Sequence, residues 1–199
     1  YTFVGWNFQS DGNGASYSGG DIFQIMSENV TLYAIWNQVP TFTVTYDGNG
    51  HTSGSVPGDN LVYQQSTMVT VKENTGNLIK TGYTFAGWNT ATDGSGTSYS
   101  PAATFAMGST NVTLYAKWLP TYTVAYDGNG NTDGSVPVDN LNYQLNEVVS
   151  VKDNIGELAK TGYTFVGWNT AVDGSGTRFN PGTTFIMGSM NVTLFAQWI

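Results

Sequence analysis

The sequence predicts a mostly β protein, α+β at most, organised as tandem small repeat domains in an elongated array. Three observations lead there. Residues 41–119 align with 121–199 at an offset of 80 without gaps, with 52 of 79 positions identical, and residues 1–36 align with 83–118 at an offset of 82. Fixed self-similarity of this kind marks a repeat architecture. Apolar residues in each copy alternate with a period of two, and clusters of Asp, Asn and Gly interrupt the alternation. The expected divisions are the C-terminal half of a first repeat (1–38), a complete repeat (39–119) and a second complete repeat (120–199). The joints, Asn37-Gln38-Val39-Pro40 and Leu119-Pro120, are short and stiffened by proline.

Within the middle repeat, Phe42, Val44 and Tyr46 alternate with threonines and predict the first strand. Asp47-Gly48-Asn49-Gly50 predicts a turn, because Asn and Gly tolerate positive φ. Val69-Thr70-Val71 predicts a second strand. Residues 74–80 have room for one or two helical turns, against which Gly76 argues. A strand is expected from Gly82 to Trp88, closed by the turn Asp93-Gly94-Ser95-Gly96. The last strand, Asn111 to Trp118, places Val112, Leu114, Ala116 and Trp118 on one face. All six tryptophans fall in two repeated slots, Trp6/Trp88/Trp168 and Trp36/Trp118/Trp198. A unit of about 80 residues is close to the lower limit for an unaided core. With no cysteine, aromatics must carry the burial. The expected core anchors are these six tryptophans together with Phe85, Phe165, Tyr46 and Tyr126.

Composition excludes several function classes. Six basic residues and a net charge of −8 argue against nucleic-acid binding, which needs clustered Lys and Arg. No run of about 18 apolar residues predicts membrane insertion. The chain opens inside the motif Tyr1-Thr2-Phe3-Val4-Gly5-Trp6, so no signal peptide is expected within it. Zero cysteines remove disulfides, thiolate metal sites and a cysteine nucleophile. An acidic, cysteine-free chain rich in Thr, Asn and Gly fits a bacterial surface or secreted protein.

Five segments recur in the same order in both complete repeats: Thr-Val-x-Tyr-Asp-Gly-Asn-Gly, Leu-x-Lys-Thr-Gly-Tyr-Thr-Phe-x-Gly-Trp-Asn-Thr-Ala, Asp-Gly-Ser-Gly-Thr, Phe-x-Met-Gly-Ser and Asn-Val-Thr-Leu-x-Ala-x-Trp. This pattern closely resembles the Listeria–Bacteroides repeat, or internalin B-repeat type, over essentially the whole chain. The resemblance implies a β-grasp-like fold, a small mixed sheet cradling a short helix or helix-like turn. It also implies tandem arrays in secreted or cell-wall-attached bacterial proteins, acting as spacer or interaction modules and not as enzymes. The first segment departs from the pattern. It carries only the Trp6 and Trp36 halves, with Asn7-Phe8-Gln9-Ser10 in place of Asn-Thr-Ala-x.

Candidate chemistry is sparse, and no catalytic, cofactor or metal residue is expected. The single histidine, His51, corresponds to Asn131 in the sister copy, so no Ser-His pair repeats. The recurring Asp47/Asp127, Asp59/Asp139 and Asp11/Asp93/Asp173 suggest calcium ligands or acid–base groups. The run from Asp47, however, has Thr52 where a calcium loop needs its glycine and Gly58 where it needs its terminal acid. Asx-turn chemistry is the simpler expectation. The glycine-rich turns lack the Gly-Lys-Ser/Thr ending of a phosphate loop. The Asn-x-Thr triplets at Asn29, Asn111 and Asn191 match a glycosylation sequon by coincidence of a strand start. Tyr63/Tyr143 and Tyr99 are expected at the surface, where they could stack on sugars or proteins. Lys72/Lys152 and Lys80/Lys160 recur as candidates for a Lys–Asn isopeptide, which requires burial beside an acid.

The function expected from these features is a non-catalytic spacer or stalk module of a bacterial cell-surface or secreted protein. Its location would be extracellular. The alternatives are an adhesin module for a host or neighbouring protein or glycan, and homotypic assembly in which the half repeat is completed by strand donation.

Overall fold

The computed structural model describes residues 1–199. The first segment forms β1 (Thr2–Asn7), β2 (Ser16–Tyr17) and β3 (Tyr33–Asn37). The middle copy forms β4 (Thr41–Phe42), β5 (Val44–Asp47), β6 (Tyr63–Gln64), β7 (Met68–Thr70), β8 (Tyr83–Asn89), β9 (Ser98–Tyr99), β10 (Thr104–Ala106) and β11 (Val112–Pro120). The last copy forms β12 (Val124–Asp127), β13 (Val148–Ser150), β14 (Phe165–Asn169), β15 (Arg178–Phe179), β16 (Thr184–Ile186) and β17 (Val192–Trp198). Every element is a strand, so the protein is mostly β.

Backbone proximity groups the chain into two compact units. The first contains Tyr1–Thr45, Gly58–Val71 and Ala102–Thr113; the second contains Tyr46–Pro57, Lys72–Pro101 and Leu114–Ile199. The first unit holds the sheet β2-β1-β3 and the pairs β4–β6 and β7–β10. The last copy lies wholly in the second unit, and its main sheet has the order β12-β17-β14-β15. There β12 pairs parallel with β17 from Val124↔Val192 to Asp127↔Phe195, while β14 pairs antiparallel with β17. The sheet is therefore mixed. A second ladder, β13–β16, stands beside it.

The core of this copy follows the alternation. Val124, Tyr126, Val149, Val151, Leu158, Trp168, Met187, Leu194 and Ala196 are buried, with Tyr143 among them. Phe165 and Trp168 are three apart, so strict alternation would put them on opposite faces. A β-bulge between Phe165 and Gly167 inserts one residue and brings both rings to the same face, 5.2 Å apart. The bulge requires the Gly of each Gly-Trp motif. Gly87 has φ 111°, and a Cβ there would stand 2.6 Å from the Tyr99 carbonyl oxygen.

The segment 74–80 is not helical. The Asn74 side chain closes it instead, its Oδ1 accepting from Leu78 N–H at 2.7 Å and its Nδ2 donating to the Leu78 carbonyl at 3.1 Å. Asn77 takes φ 51°, which breaks any helical run. Asn154 and Leu158 repeat the arrangement at 2.7 and 3.1 Å.

Candidate functional site

The recurring side chains converge on three backbone clamps, two of them in both complete copies and the third in all three segments. The first joins strand to loop through Tyr46 and Trp88. Their rings meet edge-on at 4.7 Å. The Tyr46 hydroxyl accepts from Lys72 N–H at 2.8 Å, and Trp88 Nε1 donates to the Lys72 carbonyl at 2.9 Å. Both backbone groups of Lys72 are thus held by aromatic side chains, which satisfies polar atoms that would otherwise be costly inside a core. Tyr126, Trp168 and Lys152 reproduce it at 4.7, 2.7 and 3.0 Å.

The second clamp is the Asp-Gly-Asn-Gly turn. Asp47 Oδ1 accepts from Asn49 N–H at 2.7 Å, an Asx turn, with Asn49 at φ 47°. Asn49 Nδ2 then donates to the carbonyls of Thr92 and Ala116 at 2.8 and 3.0 Å. Trp118 Nε1 donates to the Gly48 carbonyl at 3.0 Å. Lys80 Nζ donates to the Asn49 carbonyl at 3.3 Å and lies over the Tyr83 ring at 4.8 Å. In the last copy Asn129, Trp198, Lys160 and Tyr163 take the same places.

The third clamp was not foreseen from sequence. Asn89, fully buried, donates through Nδ2 to the Gly94 and Gly96 carbonyls and to Ser98 Oγ at 3.2, 3.0 and 2.9 Å, while its Oδ1 accepts from Ala91 N–H at 2.8 Å. Asn7 and Asn169 are buried in the same way. The signal was present: Gly-Trp-Asn is followed at fixed distance by Asp-Gly-x-Gly in all three copies.

Of the expected anchors, Trp88, Trp168, Tyr46 and Tyr126 are buried, while Phe85, Phe165, Trp118 and Trp198 are half-buried. Trp6 and Trp36 are 39% and 57% exposed and do not anchor a closed core. Residues 1–37 form the three-stranded sheet β2-β1-β3, in which Tyr17 of β2 is the cross-strand partner of Trp6.

Tyr63 and Tyr143 are buried, contrary to the surface position expected, because each ring can enter the core while its hydroxyl donates to Asp59 or Asp139 Oδ2 at 2.9 and 2.8 Å. Burial, then the Asp139 bond and charge, pushes the Tyr143 hydroxyl up to about 12. Tyr99 is half-buried. The Asp11 carboxyl is held below its ordinary value by the Asn13 backbone N–H and then its side chain, and those of Asp93 and Asp173 by the Ser95 and Ser175 hydroxyls and then their N–H groups. These carboxylates serve their own turns.

His51 is exposed. Lys72 and Lys152 are half-buried, and Lys80 and Lys160 meet backbone carbonyls where an isopeptide needs a side-chain amide. A cleft of about 240 Å³ beside the Asp-Gly-Asn-Gly turn is lined by Asn49, Lys80, Tyr83, Asp93, Lys117 and Trp118. Its cations are already engaged, Lys80 as above and Lys117 with Ser98 Oγ at 3.1 Å. The arrangement holds backbone in place.

The comparisons agree with this repeated construction. The model of the Listeria-Bacteroides repeat domain matches residues 1–35, 42–117 and 122–197. A protein of Evansella cellulosilytica described as a Gly-rich membrane protein is 44% identical over 162 residues, covering 79% of this chain and 18% of its own length. A membrane protein of the same organism is 35% identical over 176 residues, 87% of this chain and 24% of its own length. Internalin H of Listeria monocytogenes is 31% identical over 199 residues, 97% of this chain and 32% of its own length. The chain thus spans at most about a third of these relatives. No solved structure matches. Three matches of one family model, together covering nearly the whole chain, show that the chain belongs to the Listeria-Bacteroides repeat family.

Proposed function

We propose that the chain is a non-catalytic, tension-bearing spacer of a bacterial cell-surface or secreted protein. The observation that carries this reading is the pairing of the last copy's first and last strands. The polypeptide enters at β12 and leaves at β17, and these strands lie side by side and parallel over Val124↔Val192 to Asp127↔Phe195. A pull along the chain therefore drives them past one another, so their ladder bonds must fail together and not one by one. The side-chain clasps Thr123 N–H to Asn191 Oδ1, 3.0 Å, and Trp198 Nε1 to the Gly128 carbonyl, 3.1 Å, add to the same seam. The relatives support the setting: an internalin and two membrane proteins, each with most of its length outside the matched region.

Single-molecule pulling tests it. The chain has no cysteine, so introduced thiols are unique handles. With Thr121→Cys and Ile199→Cys the seam is sheared. With Thr121→Cys and Met190→Cys it is peeled from one end. The sheared form should unfold in one step that adds roughly 230–260 Å, the extended length between the handles less the folded span of the seam, at clearly higher force than the peeled form. Equal forces would remove the mechanical reading.

A further inference from the structure

We propose that two molecules of this chain link by strand exchange, each seating its β12 in the last-copy sheet of the other. The exchange uses the β12–β17 seam on which the spacer reading rests, but it does not need that seam to bear load.

The seam can open and reclose as a unit. In the sheet β12-β17-β14-β15, β12 is an edge strand, paired on one side only. Its ladder spans four residues, Val124↔Val192 to Asp127↔Phe195. Other fastenings belong to the same short stretch. Thr123 N–H donates to Asn191 Oδ1, the Tyr126 ring meets Trp168, the Gly128 carbonyl accepts from Trp198, and Asn129 donates to the Val172 and Ala196 carbonyls. Once β12 leaves, β17 presents an unpaired edge, which templates a further strand. Downstream, residues 135–142 belong to no strand, and Val138 and Leu141 are exposed. This segment can straighten without breaking a ladder and so carry β12 to a second molecule. An exchanged pair keeps the seam contacts of two closed copies and differs from them chiefly in this hinge, so chain concentration decides between the two forms.

The chain carries its own competitor for that edge, and the linker disables it. β5 and the turn after it match β12 where the seam is made: Val44, Tyr46, Gly48 and Asn49 correspond to Val124, Tyr126, Gly128 and Asn129. The clasps match as well, since Thr43 N–H donates to Asn111 Oδ1 and Trp118 Nε1 to the Gly48 carbonyl. By sequence alone, the two complete copies could therefore trade first strands inside one molecule. That trade would lay β12 parallel along β11, with Val124 beside Val112, the counterpart of Val192. β11 runs from Val112 to Pro120, about 26 Å at about 3.3 Å per residue. Only residues 121–123 lie between Pro120 and Val124, a reach of about 14 Å when fully extended. The linker cannot return to the start of β11, so a trade within the chain is closed. The partner that remains is a second copy of the chain.

The test puts one cysteine on each strand of the seam, in separate chains: Ala125→Cys in one and Thr193→Cys in the other. These residues are ladder partners, and both are exposed, so each variant keeps its fold. Neighbouring strands lie about 4.8 Å apart, within reach of a disulfide, and the chain has no other cysteine. The two variants are mixed, unfolded under reducing conditions, refolded together and oxidised, and the products are separated without reductant and mapped by mass spectrometry. The expected product is a dimer joined by a 125–193 disulfide. Its share should rise with chain concentration during refolding, and it should be absent when the folded variants are mixed without unfolding. Monomer alone at every concentration would overturn the proposal. Dimers joined only 125–125 or 193–193 would overturn it too, because they report collision of surface thiols. A chain carrying both Thr45→Cys and Thr193→Cys checks the linker argument: a 45–193 disulfide inside its monomer would show a trade within one chain and also overturn the proposal. Equal shear and peel forces would leave all these products unchanged, so the two readings fail separately.

Discussion

Trp118 Nε1 donates to the carbonyl of Gly48, 70 positions earlier, and Trp198 does the same to Gly128 across the same interval. One indole thereby ties the end of each complete copy to the turn near its start. Replacing Trp118 or Trp198 by Phe keeps a ring and removes the donor. Each should lose about 1 kcal/mol, the usual net worth of one such bond, read as a lower urea midpoint at unchanged slope.

Truncating the buried slot is far more damaging. Trp168→Ala removes a fully buried ring that meets both Tyr126 and Phe165, a loss of about 3–5 kcal/mol. An 80-residue module has only about 4–12 kcal/mol in total. Near-ultraviolet circular dichroism should show the last copy molten or unfolded at room temperature, and Trp88→Ala should do the same to the middle one. A melt superimposable on the parent's would refute this.

Asn169→Ala should cost about 2–3 kcal/mol although the side chain is polar. It leaves the Gly174 and Gly176 carbonyls and the Ala171 N–H without their partner. Asn169→Asp, the same shape with acceptors in place of donors, should be at least as harmful. Hydrogen exchange at Ala171 would report the loss directly.

Gly87→Ala tests the bulge. It sets a methyl 2.6 Å from a backbone oxygen at φ 111°, so it should destabilise by about 1–3 kcal/mol. An alanine at Gly58, where a Cβ would have nothing within 4 Å and the backbone needs no left-handed angle, should be close to neutral.

Stability should fall at high pH. The Tyr143 hydroxyl is raised in the folded chain from 10.0 to about 12. A group so raised stabilises the fold fully below its unfolded value, and that contribution is lost as pH climbs from about 10 through about 12. Tyrosinate absorbance should show a late-titrating step that coincides with unfolding, to which Tyr126, also raised by burial, contributes. Tyr143→Phe should shrink that late step. At the acid end the sign reverses: Asp11, Asp93 and Asp173 are lowered, so their contribution is present above the ordinary carboxyl range and fades as pH drops through their depressed values.

Much of the strand pattern was legible because alternation and turn chemistry are local. The four strands expected in the middle copy fall at or near β4–β5, β7, β8 and β11, the first of them divided in two at Thr43. The two-residue strands β6 and β9 were not read, since so short a run carries no period. Tyr63 and Tyr143 sit in segments without regular alternation, where the neighbouring Leu61, Val62, Leu141 and Leu145 are exposed, so no pattern marks them as core. What buries them is a bond to an aspartate four residues back, a spacing visible in Asp-Asn-Leu-x-Tyr but with no hydrophobic signature. Asn89 was missed for the same reason: its role is set by the three acceptors that the following turn folds back onto it.

Asn7 retains its bonds to Gly12, Gly14 and Ser16 even though the tryptophans around it stand open. The acceptors that hold this asparagine all come from within ten residues of chain. Closing a loop of that size takes about 10–100 ns, whereas the β12–β17 seam must bring together residues 68 apart. Refolding of the last copy is expected to form its later hairpin first and the seam last. Kinetic Φ analysis should find Asn169 near unity and Asn129 near zero.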